Sequence, residues 1–211
     1  MDLKKEPKSD LTKNIKEDVP FFDNTDYFID EKSNSFKWGN SYQIFNAKGN
    51  EIGMVSQKVS TSEKLFRMLI SKSFVPFSLE VRDSNDQLQA TISKGWSFGM
   101  PEVKITDSKN QSVGYISKKL SLGRSNFKIL DSRRSQIAGI TGSWTSWDFT
   151  IKDTGEIELG KISKKWGGLA RELFTTQDKY NVHINSKVAS QDNRIAILVS
   201  AIAIDMILKN G

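Results

Sequence analysis

The chain contains no cysteine and only one histidine, His183. The first absence excludes a disulfide framework, a thiolate nucleophile, a cysteine-based zinc site and a palmitoyl anchor. The second leaves no two-histidine metal site and would rest any imidazole catalysis on one residue. His183 falls in an alternating segment, where a packed or surface histidine is the ordinary outcome. No P-loop or GxGxxG motif occurs. The close carboxylate pairs, Asp83/Asp86 and Glu156/Glu158, fall in polar turns or at solvated strand edges. The chain therefore reads as no enzyme, with no cofactor expected.

What is present is 211 residues carrying a net charge of +6. That length suits one domain, and a β barrel or sandwich often fills about 200 residues as a single unit. The positive balance fits an anionic partner, nucleic acid or an acidic membrane surface, although solubility alone would account for it. Residues 1–20 hold five lysines against five acidic residues and almost no large apolar side chains, so they read as a disordered charged tail. The net +6 then belongs to 21–211. The tail lacks the apolar stretch of a secretory leader, and the expected location is cytoplasmic, peripheral at an inner membrane face if the partner is lipid.

The opposite end is apolar from Ile195 to Leu208 except at Ser200 and Asp205. As a helix, about 194–209, it is hydrophobic on every side and must be buried in protein or in lipid. Fourteen residues rise ~21 Å, short of a bilayer core of ~30 Å, and Asp205 adds a cost in lipid.

Between the ends a pattern repeats five times. An Asn or Asp closes an alternating apolar run, and a Ser or Thr follows ten residues later: Asn46/Ser56, Asp83/Ser93, Asp107/Ser117, Asp131/Thr141 and Asp153/Ser163. Two residues before each marker stands Ile44, Val81, Ile105, Ile129 or Ile151. Seven after it the residue is always small: Gly53, Ala90, Gly114, Ala138 and Gly160. Thirteen after it comes Val59, Trp96, Leu120, Trp144 or Trp166. Apolar residues two apart mean strands with one buried face, and the polar stretch between them is turn chemistry. Five hairpins give ten strands, and the alternating segments 26–30 and 180–184 make twelve. The small residue marks a bend or a close approach of backbone. An extra segment in the first gap, 61–70, reads as a short capped helix or a long loop.

Twelve strands ~4.8 Å apart at ~40° tilt close into a barrel ~24 Å across. The bore left by inward side chains is ~14 Å, and a helix with its side chains is ~10–12 Å wide. The expected fold is thus mainly β: a twelve-stranded antiparallel barrel enclosing the C-terminal helix.

The segments Ile162–Val182, Pro76–Asp83 and Ile195–Leu208 resemble, in that order, the stretch before the terminal helix, a strand opening and the terminal hydrophobic segment of phospholipid scramblases. The resemblance spans about 21–211. It also takes in the LURP-one-related and tubby C-terminal-like proteins, and it implies a twelve-stranded barrel around a central helix. Scramblases carry an acidic calcium motif, and onto its positions fall Thr176, Asp178, Tyr180, Val182, Ile184 and Lys187. Only Asp178 keeps a carboxylate, too few oxygens for that cation, so no metal is expected. The cysteine-rich palmitoylation stretch is replaced by Leu69–Phe74.

Basic residues recur just past the repeating Ser: Lys58, Lys94, Lys118, Lys119, Lys164 and Lys165. In a barrel of hairpins such equivalent ends gather at one rim. Lysines there would attract anionic headgroups, and tubby-like domains bind phosphoinositides through Lys and Arg, which brings Arg171 into the candidate set. Lysines at strand ends also simply protect edges. Strict alternation would aim Lys94, Lys118 and Lys164 inward, so the strands should end or bulge there. Arg133 and Arg134 lie in a turn. Nucleic acid is a poor alternative, because the aromatics keep core parity apart from Trp147. The expected function is peripheral binding of anionic phospholipid. The alternatives are a lipid scramblase and a soluble scaffold for a protein partner.

Overall fold

The computed structural model describes residues 19–31, 41–57, 75–97, 99–119, 125–143, 145–164 and 179–209. Strands β1 (Asp26–Glu31), β2 (Ser41–Phe45), β3 (Glu51–Gln57), β4 (Phe77–Asp83), β5 (Leu88–Lys94) and β6 (Glu102–Asp107) form the first half of a sheet. It continues with β7 (Ser112–Lys119), β8 (Ser125–Asp131), β9 (Gln136–Ser143), β10 (Asp148–Asp153), β11 (Glu158–Ser163) and β12 (Lys179–Ile184). Each strand pairs with its sequence neighbours, and β1 closes on β12 with Asp26 opposite His183. The result is a closed, antiparallel barrel of twelve strands, with the helix α1 (Gln191–Lys209) inside it. Full closure removes the unpaired edges that an open sheet of this size would expose. The tail before residue 19 and the segment 61–70 lie outside the described residues.

The five hairpins share one turn, and the marker residue explains it. Its Oδ1 accepts the N–H groups of the residues two and four further on, at 2.7–3.0 Å in every copy. The N–H three residues on closes onto the marker's own carbonyl. That third residue is left-handed throughout: Gly49, Asp86, Asn110, Arg134 and Glu156 have φ between 61° and 79°. Just beyond each turn the ladder shifts register by one residue, a β-bulge. A side chain in the left-handed region costs about 1–2 kcal/mol, and only the first hairpin spends a glycine there. Glu156→Gly gives up only an exposed ion pair with Lys152 (3.1 Å). After the added entropy of the unfolded chain, it should stabilise the protein by about 0.5–1 kcal/mol. Thermal melting checks this, and a lowered midpoint would refute the strain.

The inward face of the strands and all sides of α1 make one core. Ile44, Val81, Ile105, Ile129 and Ile151, the residues two before each marker, are at most 1% exposed. Residues 195–207 of α1 are buried without interruption. The N-terminal turn of α1 is capped by Ser190, whose Oγ accepts the Asn193 N–H at 3.4 Å while its carbonyl accepts the Arg194 N–H at 3.0 Å. Arg194 then ties α1 to the chain entering β1. Its guanidinium donates to the carbonyls of Phe22 (2.5 Å), Asn24 (2.6 Å) and Val188 (3.2 Å). Phe21 and Phe22, in a 3-10 turn, are buried beside it. No helix among the described residues is long and apolar enough to cross a membrane.

Candidate functional site

The register fixes what each end of the barrel carries. The five Asx turns lie at one end, together with the first turn of α1. The opposite end carries the other connections, β5 to β6 and β9 to β10 among them, and α1 points its C-terminus there. Lys94 ends β5, Lys118 and Lys119 end β7, and Lys164 follows β11, so these four stand at that second rim. Lys58, Lys165, Arg171 and Asp178 lie outside the described residues.

The four lysines are not equivalent. Lys94 occupies an inward position, opposite Phe77, and is 5% exposed. Its Nζ lies 3.2 Å from Ser97 Oγ in the β5–β6 loop. Burial lowers its pKa, because a dry surrounding disfavours the ammonium form. An anion brought beside it would reverse that shift. Lys118, opposite Phe127, is half-buried, and its N–H donates to the Pro101 carbonyl at 3.5 Å, which joins β7 to the base of the same loop. Lys119 is exposed. Strand β6 alone separates Lys94 from this pair. Lys164 stands across the barrel. Its N–H donates to the Trp147 carbonyl (3.0 Å), and its Nζ sits 5.5 Å from the Trp147 ring centroid, a cation–π contact. Strict alternation requires the strands to end or bulge here. Strand β5 stops at Lys94 and β11 at Ser163, whereas β7 runs on through both lysines.

Beneath the rim the last turns of α1 place polar groups in the core. Asp205, 1% exposed, accepts a hydrogen bond from the Tyr42 hydroxyl at 2.8 Å. The phenols of Tyr42 and Tyr180 are both pushed well above their usual range, first by burial and then by the Asp205 charge. Of the positions matching the calcium motif, Tyr180, Val182 and Ile184 point into this core, and Lys187 lies in the exposed turn beyond β12. Among the described residues no cluster of His, Asp and Glu is arranged to hold a metal ion.

Other candidates resolve into structure. His183 Nδ1 pairs with Asp26 Oδ1 at 3.0 Å on the outer wall. Asp83 and Asp86 serve a hairpin turn, and Glu158 pairs with Lys161 at 3.6 Å. Arg134 reaches back over the Tyr115 ring to both Glu102 oxygens at 2.9 Å, so it belongs to the outer wall. Trp147, the aromatic out of core parity, is 9% exposed and stacks on Tyr180 with centroids 4.9 Å apart, leaving no face for a base.

Two features escape period-two reasoning. Trp96, aligned with the apolar thirteenth position of the repeat, is 51% exposed, because β5 ends two residues earlier. Met100, in the same loop, is 54% exposed. Gly95 and Gly99, spaced through Gly95–Trp–Ser–Phe–Gly–Met–Pro101, are the signal that could have flagged a projecting loop.

The family model described as Scramblase matches residues 31–208, from the end of β1 to the last turn of α1. No curated protein matches the chain in sequence. Among solved structures, the X-ray structure of a protein from Arabidopsis thaliana is similar at a TM-score of 0.47 and 9% identity, over 85% of this chain and 90% of that one.

Proposed function

The chain belongs to the scramblase family, and on that premise we propose that it is a non-enzymatic domain that binds anionic phospholipid at a membrane surface through its lysine-bearing rim. The observation that carries this reading is the polarity of the barrel. Lys94, Lys118, Lys119 and Lys164 stand at one end. Four of the five turn markers at the other end are aspartates. The same turns also carry Lys48, Lys109, Arg133 and Arg134, so an anionic surface would attract the lysine rim and be only weakly repelled by the turn end. Each lysine near headgroups contributes about 1 kcal/mol, and screening weakens that attraction at ordinary salt.

Co-sedimentation with vesicles tests it directly. The protein should pellet with phosphatidylcholine vesicles that contain phosphatidylserine and stay in the supernatant with phosphatidylcholine alone. The double variant Lys118→Ala/Lys119→Ala should lower the partition coefficient about thirty-fold at low salt, the equivalent of ~2 kcal/mol. Its fold should be intact, because Lys119 is exposed and Lys118 half-buried at the strand end. Equal binding to both vesicle types would remove the electrostatic reading, and no binding to either would leave a protein scaffold.

A further inference from the structure

We infer that the β5–β6 loop, Gly95–Pro101, is a membrane-inserting element that carries Trp96 and Met100 into the interface of an anionic bilayer. The inference rests on the reading of this rim as the lipid-facing end and adds the part that enters the lipid.

Among the described residues, five large apolar side chains are exposed: Val19, Met54, Trp96, Met100 and Ile157. Met54 is alone on the outer wall of β3, Ile157 is in a hairpin turn at the far end, and Val19 precedes the barrel. Only in the β5–β6 loop do two of them coincide, four residues apart. An isolated exposed side chain needs no explanation, but a pair on one projecting loop does. The glycines of the loop are open. A Cβ built on Gly95 or Gly99 would meet nothing within 4 Å, so no wall packs against the backbone at either position.

The base of the loop, by contrast, is held. Pro101 accepts the Lys118 N–H, and Ser97 Oγ lies 3.2 Å from Lys94 Nζ. Side chains next to a fixed base lose less freedom on insertion than those of an untethered coil, a loss that would otherwise oppose binding. The chemistry suits one solvent boundary. Indole prefers the headgroup level, where its ring is dry and its N–H is wet. Lysines flanking an inserted tip extend their stems along it and leave their ammonium groups among phosphates. Lys118 and Lys119 flank the tip on one side, and Lys94 underlies it. This charge favours an anionic bilayer over an apolar groove on another protein, which would desolvate those lysines without compensation.

The absence of cysteine permits a site-specific test. Met100→Cys is labelled with the polarity-sensitive fluorophore NBD, and Ile157→Cys, in the turn at the opposite end, serves as the control. With vesicles of phosphatidylcholine and phosphatidylserine, the label at 100 should shift to the blue and brighten several-fold, while the label at 157 should stay in water. Trp96→Asp, at an exposed position, should keep the melting temperature and lower the partition coefficient by about ten-fold or more. Protein that pellets with these vesicles while the label at 100 remains in water overturns the insertion and leaves the electrostatic reading standing. Failure to pellet at low salt overturns both, and a shift at 157 overturns the orientation.

Discussion

Removal of residues 191–211 leaves a chain that does not fold. Between Ile195 and Ile207, α1 buries eight large aliphatic side chains, each at most 4% exposed, against the inner face of the barrel. Burial of one such side chain is worth about 1.5–3 kcal/mol, so the set is worth on the order of 12–24 kcal/mol. The whole stability of a domain is about 5–15 kcal/mol. Loss of the helix also strips contacts from the strands, because the barrel residues opposite it would line an empty, water-accessible bore. The truncated chain should lose its near-ultraviolet circular dichroism and its cooperative melt. Ile202→Asp, at full length, should do the same by burying an unpaired carboxylate. A peptide of 191–211 added during refolding should restore part of the signal. A truncated chain that still melts cooperatively would show that the barrel stands without its plug.

The same burial bears on how a member of this family would meet lipid. An α1 that entered the bilayer would have to leave a core that depends on it and withdraw the Arg194 guanidinium from three carbonyls. It would also carry Asp205 into hydrocarbon, away from the Tyr42 hydroxyl. A rim that touches the membrane while the helix stays inside the barrel has none of these costs. That asymmetry is why the proposed contact is peripheral and is made by a loop.

Much of this architecture was legible because it repeats. A carboxylate or amide at the head of each hairpin and apolar residues two apart are local chemistry, and they forecast the turns, the strand parity and the twelve strands. Closure and the position of α1 followed from matching a bore to an all-round apolar helix. α1 begins at Gln191, three residues before the apolar run suggests, since Gln191, Asp192 and Asn193 form a polar first turn. The site was less legible, because parity stops carrying information where a strand stops. Lys94 keeps the inward parity and is buried, whereas Trp96, two residues on, has left the strand and is exposed. Trp147 was read as out of core, yet a left-handed backbone (φ 47°) and its stack on Tyr180 bury it. Those placements depend on contacts between strands far apart in sequence. The separation of Lys164 from Lys94, Lys118 and Lys119 likewise required the order of strands around the closed barrel.

Gly160→Val is expected to be a costly point substitution at a repeat position, as the same change at Gly53 or Gly114 would be for the same reason. The recurring small residue seven after each marker faces inward and pairs with the residue two before the marker, Gly160 with Ile151 in the last copy. On its other side lies β12, where Gly160 pairs with Ile184. A Cβ at 160 would collide with the His183 carbonyl oxygen and lie 3.4 Å from Ile197 Cγ2 of α1. Strand backbone cannot yield without breaking its ladder, and Ile197 is held by the core. The two further methyls of valine add to both collisions, which makes a penalty of about 3 kcal/mol and a melting temperature lower by roughly 6–12 °C. Gly139→Val is the control. It lies on the outer wall of β9, where a Cβ meets only Gln136 Nε2 at 3.9 Å. There valine should be neutral or stabilising, since a β-branched residue suits a strand better than glycine does. If the two variants melt together, close approach of β12 and α1 is not what keeps residue 160 small. If they separate as expected, the glycine is one of the places where the helix and the barrel wall fix their fit, and the position of α1 is set by the wall as well as by its own apolar surface.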